Sequence, residues 1–208
     1  MKWNTILGGA ALACAAALIA WLPVPQDRDG QPSGMDEEQM AAMKRWQEMS
    51  MPGKHHEKLA DYLGEWNTTV RIWMGGPGQP PMENHGTATY RWLMDGRWLI
   101  SEGTGSMMGM PVQHTMILGY DNMKKSYVMT KVDSISTTML VAEGDLSMDG
   151  KALHLYGTMD EPLTGEHDKM VRYTTRFLGP DRFVTEVYDL HIDPVDSRVV
   201  EVEYNRKK

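Results

Sequence analysis

The chain has 208 residues, a formal net charge of −7, and 41% hydrophobic and 24% charged side chains. That balance is ordinary for a globular protein and the length suits one domain plus an appendage, so wholesale disorder is excluded. The acidic balance argues against nucleic acid as a partner: phosphate binding needs clustered Lys and Arg, and Arg206–Lys208 reads as a solvated tail.

Met1–Pro25 reads as an export signal or N-terminal membrane anchor. Lys2 supplies the positive start, Ile6–Leu22 carries no charge and is rich in Ala and Leu, and Pro23 and Pro25 follow. Cleaved, the signal leaves a periplasmic protein; retained, the run is long enough to tether the remainder outside the cytoplasm, with the membrane as a partner. Ala11-Leu12-Ala13-Cys14 offers a third reading, a lipoprotein box, in which Ala11 stands where a larger aliphatic is usual. Cys14 is the single cysteine, which excludes an intrachain disulfide and Cys-based metal sites.

Residues 26–52 form a linker and an amphipathic helix. Pro25–Gly34 is polar and rich in Gly and Pro. Met35–Met49 is helical in pattern, with Asp36 at the cap, Glu37 and Glu38 in the first turn, and Met40, Met43, Trp46 and Met49 on one slowly drifting face. That face suits a membrane, the following domain or a partner. Lys54–Leu63 suggests a second short helix with Leu59, Tyr62 and Leu63 inward and His55 and His56 in its first turn as surface or capping residues.

From Gly64 the hydrophobic period becomes two. Expected strands are Glu65–Met74, Glu83–Leu93, Arg97–Gly105, Gln113–Tyr120, Lys125–Asp133, Ile135–Leu146, Lys151–Met159, Lys169–Leu178, Arg182–Leu190 and Arg198–Tyr204. Asp95-Gly96, Asp121–Lys124, Asp149-Gly150, Gly179-Pro180-Asp181 and Asp193-Pro194 supply turn chemistry, Gly75–Pro81 is a proline-rich loop, and Asp160–Asp168 is a longer loop. Without crossover helices the sheet must be antiparallel, and about ten consecutively paired strands curl until their edges meet. The fold class expected for residues 53–208 is therefore all-β, an antiparallel up-and-down β-barrel of about ten strands with N-terminal helical segments. A two-sheet sandwich is the rival.

A barrel of this strand number is wider than packed side chains fill, which points to ligand binding in a cavity of roughly 300–1,000 Å³. Gly53-x-His55-x-x-x-Leu59, Leu63-Gly64-x-Trp66, Met107–Pro111, Gly119–Asn122 before Lys124-Lys125-x-Tyr127, Asp133-Ser134, Glu143-Gly144 and Met159-Asp160-x-Pro162-x-Thr164-Gly165 resemble the markers of the bacterial domain of unknown function 1579 family, from about Gly53 to Lys207. The resemblance implies a fold similar to the calycin, lipocalin-like barrels, where Gly-x-Trp also opens the first strand, and it implies no activity. Lys131 departs from the family pattern, which favours an aromatic there.

Candidate ligand-binding residues are Trp66, Trp98, Glu102, Tyr127, Lys131, Asp133 and Arg172. Trp66 would close one barrel end, and Trp98, Ile100 and Glu102 share one strand face, as do Tyr127, Met129, Lys131 and Asp133. If both faces point inward, Arg172, Thr174 and Arg176 are the groups available to pair with the buried charges. If they point outward, these are ordinary polar faces. The ligand expected is small and apolar. Alternatives are a structural or interaction protein with a filled barrel, or a soft metal such as copper(I) on Met107, Met110 and His114, with Met108 and Met116 close by. Methionine is abundant, 19 residues against 2 Phe, so core filling explains most of it. Haem on one of His85, His114, His154 or His191 has no residue to single it out. No nucleophile elbow or phosphate loop is present, so no enzyme and no cofactor are expected.

Overall fold

The structure, a computed structural model, describes residues 36–75, 79–161, 164–191 and 197–208. The export signal, the linker Pro25–Gly34 and the Asp193-Pro194 turn lie outside the described residues. Helix α1 is Glu37–Ser50 and belongs to a unit separate from the one that runs from Ser50 to Lys208. Its start is a reciprocal cap. The Gln39 N–H donates to Asp36 Oδ1 at 2.8 Å and the Asp36 N–H donates to Gln39 Oε1 at 3.2 Å, satisfying two donors that a helix start leaves open.

The second unit opens with α2, Lys54–Glu57, and a 3-10 turn, Lys58–Tyr62. Ten strands follow: β1 Gly64–Ile72, β2 Met82–Leu93, β3 Trp98–Met107, β4 Met110–Asp121, β5 Ser126–Asp133, β6 Leu140–Leu146, β7 Ala152–Glu161, β8 Glu166–Gly179, β9 Arg182–Asp189 and β10 Arg198–Arg206. Each pairs antiparallel with the next, and β1 pairs with β10, so the sheet is a closed up-and-down barrel. That closure excludes the sandwich.

Three boundaries differ from expectation for identifiable reasons. The segment 135–139 is not strand, because hydroxyls at its start and within it take up hydrogen bonds in place of a ladder. Ser134 Oγ accepts the Gln113 N–H at 2.9 Å, and the Ser136 and Thr138 hydroxyls meet at 2.9 Å, competing with a ladder. The expected long loop Asp160–Asp168 is mostly strand, since Glu161 pairs with Glu166. The Asp95-Gly96 turn is a four-residue loop between paired Leu93 and Trp98, with Met94, Asp95 and Gly96 all at positive φ (54°, 55° and 81°).

One barrel end is filled by aromatic side chains. Phe183 is fully buried, with Tyr204 stacked on it at 4.1 Å and Trp66 and Tyr62 edge-on at 4.7 and 5.2 Å. The Trp66 indole N–H donates to the Tyr62 carbonyl at 2.8 Å, tying the 3-10 turn to β1. Arg206 fastens the same end. Its guanidinium lies 4.1 Å over the Trp66 ring and donates to the carbonyls of Leu63 (2.6 Å), Asp61 (3.2 Å) and Pro180 (3.0 Å). Arg206 is thus a latch within β10 and not the solvated tail expected from its position.

His56, buried in α2, caps its own helix: its Nδ1 accepts the Gly53 N–H at 3.1 Å. His55 stacks on Tyr120 at 4.1 Å. Burial lowers the His56 pKa, against the raising effect of its backbone hydrogen bond to Tyr120. Its protonated form also has no lone pair left for Gly53.

Two outcomes are expected. Phe183→Ala should cost about 3–5 kcal/mol, measured by urea unfolding, because it empties the centre of the aromatic cluster. A folded-state pKa below the ordinary histidine value of about 6.5 means the His56 contribution is present above that pH and lost as pH falls through the folded value. The melting temperature should therefore drop between pH 7 and 5 by more in the wild type than in His56→Gln, and equal drops would contradict this.

Candidate functional site

Inward positions alternate along every strand, and their exposure divides the barrel into two halves. Towards the helices, Trp66, Leu99, Leu118, Tyr127, Leu155, Phe183 and Tyr204 are all buried and form one cluster. Towards the other end, Val70, Ile72, Met116, Tyr173, Val200 and Val202 face the same interior but are only partly buried. Met116, Tyr173 and Val202 pack on the core cluster, so they form the floor of a bowl whose mouth lies opposite the helices.

Three ionisable side chains of adjoining strands enter this bowl. On β5, Lys131 and Asp133 follow Tyr127 and Met129 on the inward face, and on β4, His114 pairs with Asp133 and Met116 with Lys131. His114 turns onto β3, where Gly103 makes room: a Cβ at Gly103 would come within 2.3 Å of the imidazole. Burial, then the charge of Lys131, lowers the His114 pKa to about 4 despite Asp133, so the ring is neutral. Burial likewise lowers Lys131, with Asp133 opposing. No hydrogen bond or ion pair joins Lys131 to any of the described residues, while Asp133 Oδ1 accepts the Ile135 N–H at 3.3 Å. Three strands away, on β8, Lys169 pairs with buried Asp189 at 2.7 Å and with Glu166 at 3.2 Å, and the Asp189 contact raises the Lys169 pKa.

The structure splits the sequence candidates into three places. Lys131 and Asp133 enter the bowl. Trp66 and Tyr127 belong to the closed half, where the Tyr127 hydroxyl donates to the His55 carbonyl at 3.2 Å and burial raises its pKa to about 12. Trp98, Glu102 and Arg172 face outward and correct the expected convergence. Trp98 covers Gly119, Glu102 is exposed and paired with Arg91 at 3.1 Å, and Arg172 lies 4.5 Å over the Tyr188 ring. Alternation fixes this, since β3 buries Leu99 and Ser101 and must therefore expose Trp98 and Glu102.

The copper set does not gather. Met107 and Met110 pair at a hairpin tip, with Met108 and Gly109 at φ 52° and 79°, whereas His114 is four residues along β4, about 13 Å away. Its ring also turns sideways onto Gly103 rather than towards the tip. Among the described residues no group of three or more His, Cys, Asp or Glu is arranged to hold a metal ion. Of the four histidines considered for haem, His114 is the one inside the barrel. His85 and His191 are exposed, and His154 bonds Thr174 on the outer face at 3.1 Å.

Two concavities border the closed end. One of about 90 Å³, lined by Tyr62, Tyr127, Leu153 and Phe177, is far below ligand size. The other, about 450 Å³, lies outside the aromatic plug along Ala60, Leu63, Phe177, Pro180 and Arg206. Its cation, Arg206, already donates to three carbonyls, one of them that of Asp61, which also lines the cleft. Among the described residues no helix is long and apolar enough to cross a membrane.

His114 and the Lys169–Asp189 pair escaped the sequence reading as members of this site. The available signal was the two-residue spacing Lys169, Val171, Tyr173, which puts the lysine on the face of a buried valine. A lysine held inside without a partner is a stability liability. Lys131→Met should raise the urea midpoint at pH 7, by about 1 kcal/mol in free energy. Lys131 is depressed below its ordinary value, so the wild type should close that gap as pH rises towards 10. A loss of stability on substitution would mean that the lysine has a counter-charge.

Comparison with known proteins agrees with this architecture. A crystal structure of Rv2717c from M. tuberculosis superposes with a TM-score of 0.55 at 13% identity, over 76% of this chain and all (100%) of that one. An S-type phycobiliprotein lyase, CPES, from Guillardia theta matches at 0.48 and 11% identity over 76% and 99%. A de novo designed fluorescence-activating β-barrel matches at 0.40 and 15% over 72% and 97%. At 13% identity the likeness to Rv2717c is one of fold. A search of curated proteins found no match. Residues 51–206 match the family described as "Protein of unknown function (DUF1579)", and the chain belongs to that family.

Proposed function

We propose that the barrel binds and sequesters a small, largely apolar molecule in its open half, as a non-catalytic carrier exported from the cytoplasm. The observation that carries this reading is the contrast inside one barrel. Leu99, Phe183 and Trp66 are 0% exposed, whereas the equally inward Val70, Met116, Tyr173 and Val202 stay partly accessible. Apolar side chains left accessible inside a closed sheet lose solvation free energy that a guest would recover.

Walls of Val, Met and Tyr supply affinity through burial, while Lys131, Asp133 and His114 give the guest an orientation. The absence of an enzymatic role is part of the proposal. The Lys169–Asp189 pair is already mutually satisfied, and His114, held neutral, sits on a glycine with no hydroxyl bonded to it. Export is read from Lys2 and the uncharged run Ile6–Leu22, which would also tether the barrel to a membrane if retained.

The full chain should brighten Nile red with a micromolar dissociation constant. Val202→Trp, which places an indole on the bowl floor, should abolish the signal with circular dichroism unchanged. Trp98→Ala, on the outer face, should leave it intact. Equal binding by Val202→Trp and wild type would remove the bowl from the account.

A further inference from the structure

We propose that Lys131 is a covalent capture site for carbonyl compounds, its amine condensing with an aldehyde or ketone held in the open half of the barrel to give a reversible imine. This rests on the ligand-binding reading above and names the class of ligand.

The two inward lysines of the open half are in opposite states. Lys169 is locked as an ammonium, 2.7 Å from Asp189 and 3.2 Å from Glu166. Lys131, three strands away on β5, makes neither a hydrogen bond nor an ion pair with the described residues. It stands on β5 above the nearly buried Met129 and opposite Met116, so its stem is in apolar surroundings while the interior remains accessible beside it. Asp133, two residues further on the same face, sits at the strand end and is engaged by the Ile135 N–H. An apolar setting disfavours the charged amine, and burial lowers the Lys131 pKa with Asp133 only opposing it. His114 on the adjoining strand is neutral, and its titration responds to the Lys131 charge. The groups that face Lys131 are therefore one neutral base and one carboxylate that is already hydrogen-bonded.

The step balances without oxidant or reductant. The Nζ lone pair adds to the carbonyl carbon, the former carbonyl oxygen takes up two protons, and it departs as water when the C=N bond forms. His114 is the neutral group placed to relay a proton between nitrogen and oxygen. The same water reverses the reaction, which suits a carrier that must release its cargo.

The test uses the full chain, decanal and sodium cyanoborohydride at neutral pH, read by intact mass and peptide mapping. Lys131 should gain one decyl group at least about tenfold faster than the exposed Lys125 and Lys151. Lys131→Arg should remove that fast modification, whereas Trp98→Ala, on the outer face, should leave it in place. Equal labelling of Lys131 and Lys125 overturns the proposal. If decanal displaces Nile red but leaves Lys131 unmodified, the imine falls and the binding site stands. If decanal does neither, and Nile red itself does not bind, both readings fall.

Discussion

The pairing of β1 with β10 is the constraint on which the remainder depends. Trp66 faces Arg206 in that ladder and Val70 faces Val202, so one seam sets both the plug and the bowl. At one end it brings Arg206 over the Trp66 ring and within reach of three carbonyls. At the other it leaves two small β-branched residues side by side, which cannot fill the width of a ten-stranded barrel. The aromatic residues that do fill it, Tyr62, Phe177, Phe183 and Tyr204, are spent at the helical end.

The same seam is braced outside by charges. Arg176 contacts Glu186, Glu186 accepts Arg198 at 2.9 Å, Arg198 donates to Glu201 at 2.6 Å, and Glu201 accepts Arg71 at 2.7 Å. Arg71 continues to Glu83 at 3.0 Å, so the network links five adjacent strands from β8 to β2 across the closure. Isolated surface pairs contribute little, but Glu186 and Glu201 are largely buried by their neighbours and the members hold one another. The ions of this outer belt all pair with one another, whereas on the inner wall Lys131 forms no ion pair with the described residues. That asymmetry makes the interior polar set look selected for something other than the chain's own stability.

Strand number, antiparallel order and closure were legible in the sequence, because period-two runs between Gly, Asp and Asn turns leave little choice of topology. The Asp36 cap and the sealing role of Trp66 were legible too, each being a local pattern. Inside and outside were not. Trp98-x-Ile100-x-Glu102 reads as a ligand-facing strand until Leu99 and Ser101 are seen to be buried, since both faces of β3 mix apolar and polar residues. Arg206 was misread for a different reason: its partners, Asp61, Leu63 and Pro180, are far away in sequence, and only closure brings them together. The division of the interior into a solid and an open half depends on where a few bulky rings end up, which no spacing rule encodes.

Ligand binding requires a half-hollow barrel, with one half of its interior open to water and small molecules. Methyl NMR with a small neutral paramagnetic solute measures this directly. The methyls of Val70, Met116 and Val202 should broaden strongly, while those of Leu99, Leu118 and Leu155 stay sharp. Uniform protection of all six would mean a barrel filled from end to end, and the carrier reading would be contradicted.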